Sequence, residues 1–366
     1  MRLRIAVLRG TLPMRNAFPS SLCLALFLAL PAYAARVVQI AGADHFLVLL
    51  DDGNVSGWGS CEYGQLAPVS PPACKRLSAP TRLPLPLPAR ALAASETESF
   101  VALTDGSVIA WGGRSYGANS APVPGLSDIV SLSDHLAVRA DGTVWRWRSG
   151  EAAERVEGLE DVVTVVADFG SFIALTREGH AYAWGSNKNG RLGLGHRDDV
   201  PAPTRIPGLE GVLSAGLSYF AGGAVTRDGR VWTWGENQSG QLGNGKRSGG
   251  EGETGGFSLT PAPVPGISGA TSFSMGAGHA CARLKDGTVR VWGHDGWGQL
   301  GVGTSGGYHE KPMPIPRLAH VQLLECLSNA SFAVTADGQF FAWGVLQRAV
   351  GGPLSANVKS PIELNP

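Results

Sequence analysis

The amino-acid sequence predicts an all-β protein, a seven-bladed β-propeller built from seven four-stranded repeats. Three observations lead to this prediction. A short hairpin pattern recurs seven times, a tryptophan follows each hairpin turn at a fixed distance, and the turn glycines are 36 to 58 residues apart. That spacing leaves room for four short strands per unit, and four-stranded units arranged around a ring form a propeller.

A closed ring is favoured over a linear solenoid. A solenoid needs atypical capping repeats at its ends, whereas the first repeat of this chain is as regular as the fifth. We therefore expect residues 35–366 to form a single domain without a linker or a second core.

The repeated unit is a β-hairpin. Each unit has an apolar run, a pair formed by an acidic residue and glycine, and a second alternating run. Such a pair predicts a type I′ turn, in which both central residues need positive φ. The pairs are Asp52-Gly53, Asp105-Gly106, Asp141-Gly142, Glu178-Gly179, Asp228-Gly229, Asp286-Gly287 and Asp337-Gly338. We interpret these acids as turn residues that bond their own backbone, and not as catalytic carboxylates.

A tryptophan stands six residues beyond each acidic turn residue. These seven are Trp58, Trp111, Trp147, Trp184, Trp234, Trp292 and Trp343. Their fixed place on an alternating strand predicts structural packing between blades, and argues against sugar-binding platforms.

The fourth element of most repeats begins with proline, as in residues 203–209, 263–267 and 314–318. Proline suits an edge strand, where its missing amide hydrogen costs no ladder bond. Long inserts follow the tryptophan in the first, fifth and sixth repeats, at residues 60–80, 236–260 and 294–313. Equivalent loops of equivalent blades emerge on the same face, so the variation is concentrated there.

Residues 1–34 have the layout of a secretory signal peptide. Four arginines precede an apolar run over 22–30, which is followed by Pro31 and the small-residue triplet 32–34. The run is too short to span a bilayer, which needs about 20 residues. We predict cleavage after Ala34, a secreted or periplasmic location and no membrane span.

The charge balance argues against nucleic acid as a partner. The leader contains four of the 30 Lys and Arg residues and no acid, which leaves 26 basic against 30 acidic residues, a net charge near −4. Proteins that bind a duplex usually carry a basic balance, because phosphate neutralisation supplies much of their affinity.

Four cysteines remain after the leader is removed, an even number that makes disulfides plausible in an exported chain. Cys61 and Cys74 lie in one proline-rich loop, and we predict that they form a disulfide. Cys281 and Cys326 lie in neighbouring repeats. They either pair or remain buried free thiols.

One family has this combination of motifs. The sixth repeat contains Ala277-Gly278-His279, Asp286-Gly287, Trp292-Gly293 and Gly298-Gln299-Leu300-Gly301. This pattern resembles the regulator of chromosome condensation repeat family, and such units cover residues 37–366. The resemblance implies a seven-bladed propeller, in agreement with the number of hairpins.

What the resemblance implies for function depends on the member. The eponymous eukaryotic member is a nuclear exchange factor for a small GTPase and binds chromatin. We do not expect those activities here, because the sequence predicts export and a mildly acidic balance and has no basic nuclear-type tail. This sequence is more similar in character to secreted bacterial members of the family, which include propellers that inhibit β-lactamases by covering the active site with one face.

No catalytic constellation is visible in the sequence, which lacks a Gly-x-Ser-x-Gly elbow, a Ser-x-x-Lys motif and a phosphate-binding loop. His45 and His279 share one repeat position, and we interpret them as structural residues that bond the backbone of a neighbouring strand. A metal site formed by His294, Asp295 and His309 of the sixth insert is considered but not favoured. We predict no catalytic residue, no cofactor and no metal.

Five residues in or beside the inserts are candidates for contact with a partner: Tyr63, Arg114, Tyr116, Trp297 and Tyr308. Exposed Trp, Tyr and Arg dominate protein-binding hot spots, although these side chains could instead cover blade edges. The sequence thus predicts an exported, non-enzymatic, monomeric propeller that binds an unidentified protein through its loop-rich face. The alternative is an enzyme or carbohydrate-binding propeller that uses the mouth of the central channel.

Overall fold

The computed structural model describes residues 35–66, 74–248, 256–346 and 357–365. The residues from Ala35 onward form one compact unit. The predicted signal peptide, residues 1–34, lies outside the described residues. Within the described ranges, no helix is long and apolar enough to cross a membrane.

The strands form seven antiparallel sheets of four, which are the blades. Blades 1 and 2 contain β1 (Val37–Gly42), β2 (His45–Leu50), β3 (Val55–Ser60), β4 (Arg76–Arg82), β5 (Ala89–Ala94), β6 (Glu98–Leu103), β7 (Val108–Gly112) and β8 (Gly117–Pro122), with the single-turn helix α1 (Gly113–Tyr116) before β8. Blades 3 and 4 contain β9 (Ile129–Ser133), β10 (Leu136–Arg139), β11 (Val144–Arg146), β12 (Glu154–Arg155), β13 (Val162–Asp168), β14 (Ser171–Thr176), β15 (Ala181–Gly185) and β16 (Val200–Arg205).

The remaining three blades have the same plan. Blade 5 contains β17 (Val212–Leu217), β18 (Ala221–Thr226), β19 (Val231–Gly235) and β20 (Ser258–Pro263). Blade 6 contains β21 (Ala270–Met275), β22 (His279–Leu284), β23 (Val289–His294) and β24 (Tyr308–Pro314). Blade 7 contains β25 (Val321–Leu327), β26 (Ala330–Thr335), β27 (Phe340–Gly344) and β28 (Val358–Leu364). In every blade the order in space is the order in the chain.

The blades close into a ring, because the innermost strands of neighbouring blades contact one another and β25 of blade 7 contacts β1 of blade 1. Four buried aromatic residues fill this last boundary. Phe46 and Phe332 have ring centroids 5.0 Å apart, and Trp58 meets Phe340 edge-on at 6.3 Å. The predicted fold, an all-β seven-bladed propeller of four-stranded repeats, is confirmed.

The antiparallel order gives the ring two different faces. The connection between the first and second strands of a blade lies at the same end as the connection between the third and fourth strands. We call this side the loop-rich face. The hairpin turns with acidic residue and glycine lie on the opposite side, which we call the turn face.

The prediction of type I′ hairpin turns was wrong. In blade 1 the amide of Gly53 donates to the carbonyl of Leu50 at 2.9 Å, and Gly53 has a φ of 81°. Asp52 stays outside the positive-φ region, and its carboxylate accepts a hydrogen bond from the amide of Asn54 at 2.9 Å. The loop is a type I turn followed by a glycine bulge, so only one residue needs positive φ.

The outer strands lie earlier in the repeats than predicted. They are β16, β20 and β24, and the proline-led stretches 203–209, 263–267 and 314–318 only begin within them or at their last residue. Past the strand, each stretch continues with a turn; Gly208, for example, has a φ of 73°. A Pro-Gly pair with positive φ at glycine cannot extend a ladder, and therefore ends the strand. The prolines inside the strands do occupy an edge, as expected.

The seven repeat tryptophans are all buried. Within the described residues, four of them donate the indole Nε1 hydrogen to a backbone carbonyl in the preceding blade. The pairs are Trp111 with Gln65, Trp234 with Arg191, Trp292 with Gln241 and Trp343 with Gln299, at 2.7 to 2.9 Å. Each accepting residue stands in the loop between the third and fourth strands, so these bonds fix that loop to the next blade.

Candidate functional site

The innermost strands line a central channel of about 810 Å³. On the loop-rich face its mouth is formed by the seven turns that join the first and second strands of the blades. We call this the channel mouth. It is a concave feature on the face that carries the variable loops.

The composition of the channel mouth changes around the ring. Carboxylates lie in the turns of blades 1 to 3 and at the end of β13 in blade 4, aromatic rings lie in the turns of blades 4 and 5, and the turn of blade 6 contains only small residues. The carboxylates are Asp44, Glu96, Asp134 and Asp168; the aromatics are Phe169, Tyr219 and Phe220; the small residues are Gly276, Ala277 and Gly278. The seven equivalent turns therefore differ in chemistry, and the mouth has an acidic side, an aromatic side and a side with small residues.

The aromatic side is exposed. Phe169 and Tyr219 are 52% and 47% accessible, and their ring centroids lie 5.2 Å apart at an interplanar angle of 86°. Phe220 continues the cluster, with its ring 4.9 Å from that of Tyr219. Edge-to-face pairs of this kind are favourable, but solvent-exposed aromatic clusters in a soluble domain usually mark a contact surface.

Arg191 holds these rings in place from below. The buried guanidinium donates to the carbonyls of Phe169 at 2.8 Å, Tyr219 at 3.1 Å and Ser186 at 3.2 Å. One side chain thus ties the turns of blades 4 and 5 together. The guanidinium carbon also lies 5.4 Å from the ring centroid of Tyr219, within cation–π range, while Phe169 and Tyr219 both keep exposed surface.

Asp168 lies beside this cluster and lines the channel. Burial raises the pKa of its carboxyl to about 7; the charge of Arg191 lowers the pKa, while Asp134 and Glu96 raise it further. Across the channel, burial also raises the pKa of Glu325 to about 7, and a hydrogen bond from Ser274 at 2.8 Å opposes this. Carboxyl groups crowded together out of bulk water resist ionisation.

His135 forms a charged cluster at the acidic side. Its Nδ1 lies 2.7 Å from Asp134 Oδ1 and its Nε2 lies 2.9 Å from Glu98 Oε2. Burial alone would lower the pKa of His135, but the hydrogen bonds and charges of these two carboxylates raise it to about 9. The imidazole is therefore protonated at neutral pH.

Ser149 completes this cluster and gives it the outline of a Ser-His-Asp triad. Its hydroxyl is 3.1 Å from His135 Nε2, yet it donates to Glu98 Oε2 at 2.8 Å. A triad needs a neutral imidazole that accepts the serine proton. Because His135 is an imidazolium and Ser149 faces a carboxylate, the arrangement does not activate the hydroxyl.

Four of the five predicted contact residues are exposed on the loop-rich face, and three of these are aromatic. Tyr63 and Trp297 occupy equivalent places, five residues beyond Trp58 and Trp292, and are 52% and 48% accessible. Tyr308, at the start of β24, is 41% accessible. The Arg247 guanidinium carbon lies 4.1 Å from its ring centroid, within cation–π range.

The other two candidates differ in exposure. Arg114 in α1 is exposed, whereas Tyr116 is half-buried and packs against the cluster that contains Trp147. The structure thus places Arg114 at the surface of blade 2 and Tyr116 at the boundary of blades 2 and 3.

A buried residue anchors each long loop. In blades 4, 5 and 6 the side chains of Asn187, Asn237 and Asp295 accept hydrogen bonds from the leucine amides five residues later, at 3.0 to 3.1 Å. Blade 1 has Cys61 at this position, joined in a disulfide to Cys74, with Cα atoms 5.6 Å apart. A second disulfide joins Cys281 and Cys326, with Cα atoms 6.4 Å apart.

The sixth insert does not gather metal ligands. His309 Nε2 lies 4.0 Å from Asp295 Oδ2, and His294 Nδ1 is 2.9 Å from Gln299 Nε2. No group of three or more His, Cys, Asp or Glu residues suited to a metal ion occurs in the part of the chain that the structure describes.

The residues of the channel mouth were not found from the sequence. Phe169, Tyr219 and Arg191 belong to different repeats, and only the ring closure brings them together. One signal was available: two repeats have an aromatic residue at a turn where the others have small or polar residues.

Comparison with known proteins agrees with this architecture. Residues 178–224 and 228–283 match the model of the Regulator of chromosome condensation (RCC1) repeat, and residues 40–65 and 270–299 match a second model with that description. Among solved structures, human WBSCR16 has a TM-score of 0.58 at 20% identity, covering 90% of this chain and 82% of that chain. Yeast RCC1 (Prp20) bound to Kap60 also has a TM-score of 0.58 at 20% identity, covering 90% and 75%. At this identity, the likeness concerns the fold.

Curated relatives match over shorter segments. The E3 ubiquitin-protein ligase HERC2 of Homo sapiens is 28% identical over 209 residues, 46% of this chain and 4% of that protein. Protein pim1 of Schizosaccharomyces pombe is 27% identical over 254 residues, 61% of this chain and 37% of that protein. The human Regulator of chromosome condensation is 34% identical over 95 residues, 25% and 22% of the two chains. This chain therefore spans less than two thirds of the length of these relatives.

The fold and the site define a seven-bladed β-propeller with a loop-rich face and an asymmetric channel mouth. Segments within residues 40–65 and 178–299 match models of the regulator of chromosome condensation repeat, the family that the sequence resembles.

Proposed function

We propose that this chain is an exported, non-enzymatic propeller that binds another protein through its loop-rich face. The observation that carries the proposal is the exposure of Tyr63, Trp297 and Tyr308 on that face, in or beside loops with buried anchors. Rigid exposed aromatic side chains lose little conformational entropy on binding and dominate interface energetics. A partner covering about 800 Å² would form an interface of ordinary size.

The relatives support protein binding in general terms. The yeast RCC1 (Prp20) structure contains Kap60, and Prp20p of Saccharomyces cerevisiae is described with its binding to Gsp1p and histones. Export of this chain rests on the leader pattern of residues 1–34 alone. With a net charge near −4 after cleavage, we propose a protein partner and not nucleic acid, and a monomeric propeller.

The test is capture of a partner by the full-length protein purified from the exported fraction. Trp297→Ala combined with Tyr308→Ala should reduce the captured partner by at least about tenfold, the usual range for two hot-spot residues. The thermal transition should stay within about 2 °C, because exposed side chains contribute little to stability. Val130→Ala removes an exposed apolar side chain from the turn face and is the matched control. If the double variant loses thermal stability together with partner capture, the two residues are structural, and the proposal is contradicted.

A second function is an enzyme or carbohydrate-binding protein that uses the channel mouth. The buried carboxyls of Asp168 and Glu325 favour it, because acids with a pKa near 7 serve as proton donors in glycoside hydrolysis. The test is hydrolysis or binding of a panel of glycans. If Asp168→Asn and Glu325→Gln abolish it and Val130→Ala does not, the function at the channel mouth is favoured over protein binding.

A further inference from the structure

We propose that Asp295 and His309 form a pH-sensitive anchor of the blade 6 loop, residues 295–307. Uptake of one proton from water by this pair favours the closed loop, and loss of that proton favours a looser loop. Trp297 lies in this loop, and Tyr308 follows it directly. The inference rests on the proposed function, since it names a regulation of the surface that these two aromatic residues provide.

Asp295 closes the loop through its backbone and its side chain. Its amide donates to the carbonyl of Gly307 at 3.0 Å, and its carbonyl accepts from the amides of Gly298 at 3.1 Å and Gly306 at 2.7 Å. Its carboxylate Oδ1 accepts from the amide of Leu300 at 3.1 Å. The side chain is fully buried. The path of the loop therefore depends on this one residue.

The second carboxylate oxygen of Asp295 is poorly bonded. Among the described residues, its polar partners are Thr304 Oγ1 at 3.5 Å and His309 Nε2 at 4.0 Å. The first distance is at the limit of a hydrogen bond, and the second is longer than one. Burial of a carboxylate without strong partners is unfavourable, and burial accordingly raises the pKa of Asp295. A proton on or beside this oxygen would remove part of that cost.

The equivalent loops of blades 4 and 5 do not share this arrangement. Asn187 and Asn237 stand at the anchor position there, and their Oδ1 atoms also accept from leucine amides. Nδ2 of Asn187 donates to the carbonyls of His196 at 2.9 Å and Asp198 at 3.1 Å, and Nδ2 of Asn237 donates to the Lys246 carbonyl at 2.8 Å. A neutral amide thus fills this place with satisfied hydrogen bonds. Of these three loops, the blade 6 loop alone has an ionisable anchor.

His309 supplies a charge that compensates the buried carboxylate. Its side chain is 32% exposed, so it exchanges protons with water. The ordinary pKa values of aspartate and histidine, about 4 and 6.5, bracket the range in which such a pair changes charge. The raised pKa of Asp295 means that the closed loop binds more protons than an open, hydrated one. Closure is therefore favoured as the pH falls through this range and weakened as the pH rises.

Other titratable groups surround the pair without replacing His309. Burial lowers the pKa of His294, whose Nδ1 lies 2.9 Å from Gln299 Nε2, and lowers the pKa of His279 to about 3. Among the described residues, His309 is the one base within 4.0 Å of the Asp295 carboxylate. The remaining charged neighbours are Glu310 and Lys311 of β24, Arg247 of blade 5, which lies 3.8 Å from Glu310, and Lys359 of blade 7.

The experiment is hydrogen exchange of the full-length exported protein, followed by mass spectrometry, at about pH 5.5 and about pH 8.0. After correction for the intrinsic effect of pH on exchange, residues 295–307 should exchange at least about fivefold more slowly at the lower pH. The blade 4 loop, residues 187–199, is the internal control. Its corrected exchange should differ by less than about twofold, because its anchor is a neutral amide.

Two variants test the pair. Asp295→Asn introduces the residue of the equivalent loops, and His309→Gln removes the exposed base. Each should reduce the pH difference in the blade 6 loop to less than about twofold. His180→Gln removes a histidine that lies 3.7 Å from Glu178 and from Glu210 on the turn face, and should leave the difference unchanged. Thermal transitions are recorded in parallel, and His309→Gln alone decides if Asp295→Asn fails to fold.

Three outcomes overturn the proposal. The first is equal corrected exchange of the blade 6 loop at the two pH values. The second is an equal pH difference in the blade 4 loop, which would indicate a general effect of pH on the propeller. The third is a pH difference that persists in His309→Gln.

Partner capture at the same two pH values separates this inference from the proposed function. Hydrogen exchange needs no partner, so a pH-dependent loop together with no captured partner would leave the anchor standing and contradict the proposed function. If Trp297→Ala with Tyr308→Ala abolishes capture while loop exchange is the same at both pH values, the binding face stands and the anchor is wrong. If both proposals hold, capture is stronger at the lower pH.

Discussion

His45 Nε2 lies 2.7 Å from Ser99 Oγ, across the boundary between blades 1 and 2. The serine hydroxyl donates to the carbonyl of Gln65 at 2.7 Å, so the histidine nitrogen must be the donor in the first bond. Blades 6 and 7 repeat this relay with His279, Ser331 and the Gln299 carbonyl. The sequence predicted a histidine bond to a neighbouring backbone; the structure inserts a serine hydroxyl between the two.

The relay makes the serine important for stability. Ser99→Ala should lower the free energy of unfolding by about 1–3 kcal/mol, because it leaves the buried His45 donor without a partner. Urea unfolding measures this difference. Ser107→Ala, at an exposed turn, should cost less than about 0.5 kcal/mol. Equal costs for the two variants would contradict the role of the relay.

Acid should destabilise the protein through the two relay histidines. Their folded pKa values of about 3 lie below the unfolded value of 6.5. Their stabilising contribution is therefore complete above pH 6.5 and is lost as the pH falls toward 3. Each histidine should contribute a slope of about 1.4 kcal/mol per pH unit in this window. His279→Gln keeps an Nε2 donor and should remove one such slope from unfolding curves at pH 6, 5 and 4; an unchanged slope would show that His279 is not buried neutral.

A rise in pH should lower the stability of the protein through His135, whereas the two relay histidines act when the pH falls. Its folded pKa of about 9 lies above the unfolded value of 6.5, so its contribution is complete below pH 6.5 and is lost as the pH rises through 9. The shift corresponds to about 3 kcal/mol. His135→Gln should therefore flatten the stability profile between pH 7 and 9. An NMR titration of the imidazole with a midpoint below 7 would contradict the paired geometry.

The boundary between blades 7 and 1 depends on buried aromatic packing. Phe332→Ala should cost about 3–5 kcal/mol, because it removes a buried ring from the cluster with Phe46, Trp58 and Phe340. Thermal and urea unfolding measure the loss. The exposed Phe169→Ala is the matched control and should cost less than about 1 kcal/mol.

The first loop offers a test of its anchor. Cys61→Ser with Cys74→Ser should lower stability by about 3 kcal/mol, as expected for a disulfide that closes a short loop. Cys61→Asn with Cys74→Ser introduces the residue found at this place in blades 4 and 5, where Asn187 and Asn237 bond a leucine amide. It should recover part of the loss. No difference between the two double variants would show that the asparagine anchor is not transferable.

The fold was predictable because each repeat contains its own signals. Turn acids, turn glycines and buried tryptophans lie within one unit, and their spacing alone predicts blades and their number. The turn type was missed because Asp-Gly fits both a type I′ turn and the loop observed at Gly53, and the two differ in the residue before the pair. The outer strands were placed too late because proline was taken as their start.

The site was predictable only in part. Loop aromatics such as Tyr63 and Trp297 stand where the repeat pattern ends, so their exposure could be expected from sequence. The channel mouth requires residues far apart in the chain, such as Phe169 and Tyr219, to meet across a blade boundary. No local pattern encodes that distance, because it arises from the curvature of the whole ring.

Each blade takes its four strands from one uninterrupted stretch of chain. Duplication or loss of a single stretch would therefore add or remove a whole sheet without leaving a strand unpaired. The loops and the mouth turns of a blade belong to the same stretch, so exchange of one repeat replaces one sector of the loop-rich face. The surface of the propeller can thus change by recombination of repeats, while the packing between sheets is preserved.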